Sequence, residues 1–417
     1  MARIGMAGTV RRVAAAGLVV ALGAGCGGGS DGSGDAGDGG RKKSGPALTV
    51  AGGTGSALAD QPVDVGAKRL PAKARVTVAA SAKDRYGKTW RATAKGRADA
   101  EGRLALGEKA SSELLTRMLP ARHPKLGTGK TFSYHPGPPG EQRSYRVRLS
   151  VGTAEKTLAT RTLTREWLAE GATHRELTVG EDKLAGDLYN PPKGKPRKAP
   201  VLVFGGSEGG NAGTYTAALL ASRGHPALSL CYFRCGKGSG RPDAIDMIDL
   251  DYFTRAARLL GEQPSADPAK LTVMGNSRGS EAAQLLGQRR PSVVRNVVAY
   301  APSSKAIGPY PTGQAAWADH GKALPAGPLA LDKVRGTVLA VGGGNDKMWG
   351  SAASARDMAA HGAKKLLYPD AGHHVNWFPY GQPGQEGGAD GNVAGTSAAD
   401  QRARADSWPK VLKLLES

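Results

Sequence analysis

The strongest indication of the fold is the segment Leu271-Thr-Val-Met-Gly-Asn-Ser277-Arg-Gly-Ser-Glu-Ala-Ala-Gln-Leu-Leu286. It begins with an apolar run typical of a buried strand and ends in an Ala- and Leu-rich pattern typical of a helix. Gly275 and Gly279 permit a tight turn and a close approach of strand and helix, which places Ser277 at the apex. Ser277 is therefore the candidate nucleophile, and the backbone N–H of Arg278 is a candidate oxyanion donor. The pattern alone is weak, because 61 glycines also produce it in ordinary turns.

The segments around this stretch alternate between apolar strands and helical patterns. A hairpin with Gly180-Glu181-Asp182 at its turn precedes them. Largely apolar strands separated by helices indicate a mostly parallel sheet with helices on both faces. A hairpin, such a sheet and Gly-x-Ser-x-Gly at a strand–helix turn together predict an α/β-hydrolase fold. The predicted strands are 199–204, 227–230, 271–274, 293–299, 337–341 and 366–368, and the predicted helices include 214–222 and 252–260.

An elbow serine needs a base, and the base needs an acid that orients it. In this fold both follow the serine along the chain. Asp346 comes directly after the strand 337–341, and His373 comes after the strand 366–368, so they are the predicted acid and base. The alternatives for the acid are Asp319 and Asp370, and the alternative for the base is His374.

The glycine-rich loop after the strand 199–204 is the expected source of a second oxyanion donor. Backbone N–H groups of Gly206, Ser207 or Glu208 are the candidates. The loop lacks the Gly-x-x-x-x-Gly-Lys-Ser/Thr pattern and the Gly-x-Gly-x-x-Gly pattern, so we predict no nucleotide site there. We predict no cofactor and no metal ion for the chemistry.

Three aromatic residues follow His373 in a chain with only 5% aromatic residues. Trp377, Phe378 and Tyr380 are predicted to line an apolar substrate pocket beside the nucleophile. The alternative is that these rings only anchor a glycine-rich loop to the rest of the domain.

The N-terminal part has a different pattern. Apolar and polar residues alternate at 74–79, 89–94 and 144–151, which indicates antiparallel strands, and 110–118 reads as a short helix. We predict a β-sandwich domain at 47–171, immunoglobulin-like in type, followed by a catalytic domain at 172–417.

These features together resemble the acyl-CoA thioesterase / bile acid-CoA:amino acid N-acyltransferase family, whose members join a β-sandwich to an α/β-hydrolase domain. The resemblance covers about residues 47–417. It implies that Ser277, Asp346 and His373 form a Ser-His-Asp triad that carries a covalent acyl-enzyme, and that the substrate is a small-molecule acyl thioester or ester. The segments that carry it are Gln61-Pro-Val-Asp-Val, Phe204-Gly-Gly-Ser-Glu-Gly-Gly, Leu250-Asp-Tyr-Phe-Thr-Arg-Ala, the Ser277 elbow, Gly344-Asn-Asp-Lys-Met-Trp, Tyr368-Pro-Asp-Ala-Gly-His and Ala405-Asp-Ser-Trp-Pro-Lys-Val-Leu.

The N-terminus carries a predicted export signal at 1–25. Three arginines precede an apolar run at 13–22, which is shorter than the roughly 20 residues that a bilayer-spanning helix needs. Small residues before Cys26 resemble a bacterial lipobox, so we predict lipidation of Cys26 and a position on the outer face of a bacterial cell membrane. The alternative is secretion with an unmodified Cys26. A Gly/Ser/Asp-rich tether follows at 26–46.

The charge and the cysteines leave further questions open. The formal net charge is +21, which favours polyanionic neighbours such as anionic lipids or wall polymers, or is simply a solvated basic surface. No motif indicates nucleic-acid binding. Cys231 and Cys235 are a disulfide or two buried thiols. Residues four apart in an extended strand are about 13 Å apart, so a disulfide requires a turn between them.

The leading functional hypothesis is a serine hydrolase or acyltransferase that acts on acyl thioesters or esters. Two alternatives come from other classes: a non-catalytic, membrane-tethered binding protein on the same scaffold, and an exported peptidase. Coenzyme A is not expected outside the cell, so the predicted export signal leaves open whether coenzyme A is the natural carrier of the acyl group. Neither the acyl chain length nor the oligomeric state follows from the sequence.

Overall fold

A computed structural model describes residues 45–51, 56–121, 134, 136–380 and 397–417. The predicted export signal and the Cys26 lipidation site lie outside the described residues, as does almost all of the tether. The chain from Ser44 to Ser417 forms one compact unit. Among the described helices, none combines the length and the hydropathy that crossing a membrane requires.

The N-terminal part forms two sheets around a shared core. Sheet order is β1-β3-β6 and β2-β9-β8-β4-β5-β7, with one helix, α1 (Gly107–Thr116), close to the predicted 110–118. The pairs are antiparallel as predicted, with the exception of β2 and β9, which run parallel. The strands are β1 (Ala47–Ala51), β2 (Ser56–Leu58), β3 (Asp64–Lys68), β4 (Arg75–Lys83), β5 (Thr89–Arg97), β6 (Leu104–Ala105), β7 (Leu119–Pro120), β8 (Ser144–Gly152) and β9 (Thr157–Glu166).

The C-terminal part is built on an eight-stranded sheet with the order β10-β11-β13-β12-β15-β16-β21-β22. β10, β11 and β13 are antiparallel neighbours, and all the other pairs are parallel. This confirms the predicted α/β-hydrolase fold. Its strands are β10 (Thr173–Leu177), β11 (Gly186–Asn190), β12 (Val201–Phe204), β13 (Ala227–Leu230), β15 (Thr272–Asn276), β16 (Asn296–Tyr300), β21 (Val338–Gly343) and β22 (Lys364–Tyr368).

Shorter strands form two small sheets beside the main one, β14-β18-β19 and β17-β20. The predicted hairpin is β10 and β11, and its turn contains a four-residue helix, α2 (Val179–Asp182), capped by the Thr178 side chain. The short strands are β14 (Ile248–Asp249), β17 (Lys305–Ala306), β18 (Trp317–Asp319), β19 (Lys322–Ala323) and β20 (Gly327–Pro328).

Helices cover both faces of the main sheet, as predicted. Val201 and Val203 of β12 share a core with α3 and α7, whereas Leu202 and Phe204 share another core with α4, α5 and α6. Alternate residues of a strand point to opposite faces, so the two helix groups lie on opposite sides. The helices are α3 (Thr214–Ser222), α4 (Leu250–Gly261), α5 (Arg278–Arg289), α6 (Ser351–Ala360) and α7 (Ser397–Glu416).

The N-terminal sheets pack against α3 and α7, and one buried carboxylate marks this junction. Asp60, whose side chain is fully buried, accepts two hydrogen bonds from Arg223 at 2.7 and 2.8 Å and one from the Trp408 indole at 2.7 Å. Strands up to Glu166 belong to the N-terminal sheets, and the main sheet begins with the strand at Thr173. The domain boundary at 171/172 stays a prediction.

Candidate active site

Ser277 occupies the turn between β15 and α5. Its backbone has φ 54° and ψ −122°, a conformation that costs a non-glycine residue energy and that persists only where the surroundings impose it. The residue is 3% exposed, and its N–H donates to the carbonyl of Tyr300 at 3.0 Å. The predicted strand-turn-helix is therefore present, with the serine at its apex.

The two elbow glycines are required by close backbone contacts. A Cβ atom on Gly275 would collide with the carbonyl of Gly279, and one on Gly279 would collide with the carbonyl of Gly205. The first contact closes the elbow, and the second brings the predicted oxyanion loop against it.

Asp346 and His373 lie together beyond the ends of neighbouring strands β21 and β22. The Asp346 Oδ2 atom is 2.8 Å from His373 Nδ1, and the side chains are 1% and 4% exposed. Burial alone would raise the pKa of Asp346. The hydrogen bond and the charge of His373, with bonds from Ser351 and the Met348 N–H, outweigh burial and lower that pKa below its usual value. Asp346 is therefore ionised, and it holds the imidazole of His373 by Nδ1, so that Nε2 faces away from the carboxylate.

The alternative residues have other surroundings. Asp319 is paired with Arg289 and Arg290 at 2.9 and 2.5 Å, and Asp370 is exposed. Burial, together with the charges of Arg404 and His373, lowers the pKa of His374 to about 4. His374 is therefore neutral near pH 7, as a general base must be, but the hydrogen bond of the Asp346 carboxylate is made with His373. The structure brings together the acid and base that the sequence favoured.

Helix α7 holds the backbone on both sides of His373. Asp400 accepts a hydrogen bond from the Gly372 N–H at 2.7 Å, and the Arg404 Nε donates to the His374 carbonyl at 2.8 Å. Both residues lie one helical turn apart on the same face. Neither residue was predicted from the sequence, where the one signal was the Asp-x-x-x-Arg spacing on the last helix.

We expect Asp400→Ala to lower kcat roughly tenfold to a hundredfold, because a small displacement of the base is costly. Asp400→Asn, which keeps an acceptor for the Gly372 N–H, should lose much less. Steady-state kinetics beside thermal melts check this. An Asp400→Ala variant with a lower Tm but an unchanged kcat would assign the residue to folding alone.

The loop after β12 lies against Ser277. A Cβ atom on Gly206 would come within 2.6 Å of the Ser277 Cβ. The buried Tyr232 hydroxyl lies 3.2 Å from the carbonyl of Gly205 and 3.3 Å from that of Gly206, so it restrains this loop. Tyr232 follows β13, the neighbour of β12, and this shared strand end is a signal that sequence analysis did not use. The oxyanion roles of Arg278, Gly206 and Ser207 stay predictions.

A buried ion pair lies beneath the elbow. Arg278 Nε is 3.1 Å from Glu281 Oε1, and Glu281 Oε2 accepts bonds from the Trp317 indole at 2.8 Å and the Ile307 N–H at 3.1 Å. Burial raises the pKa of Glu281 to about 7, although Arg278 and the two hydrogen bonds oppose this shift. The charge of Glu281 therefore changes near neutral pH.

This raised pKa predicts a pH-dependent stability. The ordinary pKa of 4.5 applies when the chain is unfolded. The folded state therefore gains stability from the bound proton of Glu281 in full below pH 4.5, and this gain is lost as pH rises through about 7. Glu281→Gln imitates the protonated form, so its Tm relative to wild type should increase between pH 5 and 8. Thermal melts across this range check it, with exposed Glu262→Gln as control. A Tm difference that is independent of pH would contradict it.

The three predicted substrate-binding aromatics lie in different surroundings. The Trp377 ring is 5.7 Å from that of Tyr300, the residue that accepts the Ser277 N–H. Phe378 is 9% exposed and packs edge-on against Trp167 of the N-terminal part at 5.8 Å. The Tyr380 hydroxyl donates to Glu108 of α1 at 2.8 Å. Phe378 and Tyr380 therefore connect the two parts of the chain, which is what the anchoring alternative expects.

Cys231 and Cys235 form a disulfide with a Cα–Cα distance of 5.7 Å, which selects one of the two alternatives. The chain turns after β13, as the bond requires.

A separate group of possible metal ligands consists of Asp251, Asp319 and His320, whose ligand atoms lie within 4.8 Å of one another. Arg290 lies 3.0 Å from the Asp251 carboxylate and 2.5 Å from the Asp319 carboxylate, so the charge of this group is already compensated.

No family model matches the chain. Curated relatives extend over most of it: acyl-coenzyme A thioesterase 3 of Mus musculus is 25% identical and covers 86% of this chain and 91% of its own length. The mitochondrial acyl-coenzyme A thioesterase 2 of Rattus norvegicus is 24% identical, with coverage of 84% and 85%. This chain is therefore similar to acyl-coenzyme A thioesterases along most of its length. The peroxisomal succinyl-coenzyme A thioesterase of Mus musculus is also 24% identical, with coverage of 86% and 94%.

These relatives confirm the resemblance stated from the sequence and the prediction that this chain is an enzyme. Similar solved structures include an α/β hydrolase enzyme from a deep-sea metagenome library, 14% identical over 60% of this chain and 100% of its own, with a TM-score of 0.40. A dienelactone hydrolase from Anabaena variabilis is 20% identical over 49% of this chain and 89% of its own, with a TM-score of 0.32. The predicted lipoprotein character stays a prediction.

Proposed function

We propose that this chain hydrolyses acyl thioesters, with Ser277 as the nucleophile, His373 as the general base and Asp346 as the acid that orients it. The observation that carries the proposal is the 2.8 Å contact between Asp346 and His373 Nδ1 in a fold whose elbow presents Ser277. The names of the relatives support thioesters as the substrate class.

In the first half-reaction, Ser277 Oγ attacks the acyl carbonyl carbon while His373 Nε2 accepts the hydroxyl proton. The carbonyl oxygen becomes an oxyanion that the N–H groups of Arg278 and of Gly206 or Ser207 stabilise. Such donors are each worth about 3 to 4 kcal/mol in the transition state. The C–S bond then breaks, the thiolate takes the proton from His373, and the acyl group stays on Ser277.

In the second half-reaction, water attacks the acyl-enzyme carbonyl while His373 again accepts a proton. The C–O bond to Ser277 breaks, the serine oxygen recovers its proton, and the carboxylic acid leaves. Ionised Asp346 stabilises the imidazolium in both halves without itself becoming protonated. The conditions that this requires are a carboxyl with a lowered pKa and a buried contact between that carboxyl and His373 Nδ1, and both are present.

The acyl chain is proposed to lie along Trp377, because this ring packs on the residue that accepts the Ser277 N–H. We expect Trp377→Ala to change the ratio of kcat/KM between long and short acyl donors by roughly tenfold, about 1.4 kcal/mol of differential binding. Phe378→Ala should instead lower the Tm by several degrees and leave that ratio unchanged. A Trp377→Ala variant with an unchanged ratio would remove the ring from the acyl site.

The activity is tested with purified protein and matched acyl donors. Acyl-coenzyme A thioesters, acyl thioesters of a small carrier and p-nitrophenyl esters of the same acyl groups are compared by kcat/KM. We expect turnover of the thioesters, with a preference between the two thioester sets that shows whether coenzyme A is recognised. No turnover of any donor, together with no labelling by a fluorophosphonate, would contradict the proposal and favour a binding protein. Cleavage of aminoacyl anilides alone would favour the peptidase.

A further inference from the structure

The outward face of the six-stranded N-terminal sheet is strongly basic. Inward residues of β4 such as Val76 and Val78 are buried, and the alternate residues are exposed or half-buried. The same alternation continues in β5 and β8. Seven exposed cations share this outward face: Arg75, Lys83, Arg91, Lys95, Arg97, Arg146 and Arg148.

The strand register brings these cations together. Arg91 and Arg148 both lie opposite Ser81, from its two neighbouring strands, and Arg75 lies opposite Arg97. Serine, threonine and alanine occupy most of the other outward positions, and the one carboxylate on this face of β4, β5, β8 and β9 is Glu166, at the end of β9. Among the described residues, none of the seven cations has an ion-pair partner. Within the described part of the chain, the face therefore presents positive charge without ion-pair partners to its surroundings.

The turn between β4 and β5 adds an exposed aromatic ring at one end of this face. Tyr86 is 73% exposed, and the Arg85 guanidinium carbon lies 5.5 Å from its ring centroid. The carboxylate in the turn, Asp84, is buried and accepts bonds from the Trp90 indole and from backbone N–H groups. The tip therefore combines a tyrosine with cations, as membrane-interface segments do.

We propose that this face docks on a bilayer that contains anionic lipids, with Tyr86 entering the headgroup layer. The nine residues of β4 extend about 30 Å, and four strands span about 15 Å, so the surface is broad rather than a groove around one polymer chain. Lysine and arginine near an anionic bilayer are attracted to it, and salt screens the attraction. The exposed tyrosine favours a lipid surface over a soluble polyanion, which offers no apolar layer for the ring.

Vesicle co-sedimentation tests the proposal with the full chain carrying Cys26→Ser, so that no attached lipid contributes. Three proteins are compared on phosphatidylcholine vesicles with and without phosphatidylglycerol. They are the protein with the wild-type face, the double variant Arg91→Glu with Lys95→Glu, and the double variant Arg146→Ser with Arg148→Ser. Arg356→Glu with Lys364→Glu, both exposed in α6 and β22, is the matched charge control. Tyr86→Ser tests the tip, and circular dichroism verifies folding.

We expect binding that needs phosphatidylglycerol and weakens at high salt. Reversal of the two face charges should weaken it at least about tenfold, the Arg146/Arg148 pair several-fold, and the control pair less than about twofold. Tyr86→Ser should weaken it several-fold. Equal losses in the face and control variants would assign the binding to net charge and overturn the proposal. Binding of soluble polyphosphate without binding to vesicles would overturn it in favour of an anionic polymer.

Discussion

Replacing Ser277 by alanine is expected to lower kcat roughly 10⁴- to 10⁶-fold, because the acyl-enzyme can no longer form. Alanine keeps the Cβ atom of serine, so the strained turn at φ 54° and the close approach of Gly206 should survive. The Tm should therefore remain within a few degrees of wild type. Initial rates with an acyl thioester and thermal melts measure both quantities.

The matched control is Ser354→Ala, a serine of α6 away from the elbow. It should retain wild-type turnover and fluorophosphonate labelling, whereas Ser277→Ala should lose both. Substantial thioester hydrolysis by Ser277→Ala would mean that water attacks the carbonyl directly or that another nucleophile is used.

Asp346→Asn is expected to lower kcat roughly 10³- to 10⁴-fold, because an amide cannot hold the His373 tautomer that leaves Nε2 free to accept a proton. The carboxylate is buried and lies 2.8 Å from His373 Nδ1. The loss should therefore reflect the removed negative charge and the changed His373 tautomer. The asparagine keeps nearly the same volume, so folding should be preserved. Steady-state kinetics at a pH where wild type is fully active provide the measurement.

Two aspartates serve as controls, since they were the alternative acids in the sequence. Asp370→Asn changes an exposed residue and should leave kcat within about twofold of wild type. Asp319→Asn removes the negative charge that pairs with Arg289 and Arg290 and should reduce stability more than kcat. A loss of activity in either control comparable to that of Asp346→Asn would require a different assignment of the acid.

The main sheet and the order of the site could be predicted because both depend on local patterns. Continuous apolar runs marked the strands to within a few residues: 271–274 is Thr272–Asn276, and 337–341 is Val338–Gly343. Parallel strands place their carboxyl ends at one edge, so the contact between Asp346 and His373 could be predicted from the strand ends alone. The catalytic roles of Ser277, Asp346 and His373 stay predictions.

The contacts that support the site could not be predicted in this way, because they join distant parts of the chain. Asp60 meets Trp408 across 348 positions, and Tyr380 meets Glu108 across 272. The placement of Phe378 against Trp167 depends on how the N-terminal sheets pack on α7, and no periodicity encodes that packing. The parallel pairing of β2 with β9 departs from prediction for the same reason.

Mass spectrometry of an acid-quenched reaction shows whether the acyl group passes through Ser277. Trypsin should release 271–278 as one peptide, since Lys270 precedes it and Arg278 is its last residue, and Ser277 is the only serine in that peptide. We expect the acyl mass to appear on this peptide during turnover, to be located on Ser277 by fragmentation, and to be absent from Ser277→Ala. Acyl label on any other residue of an actively turning-over enzyme, with peptide 271–278 unmodified, would contradict it.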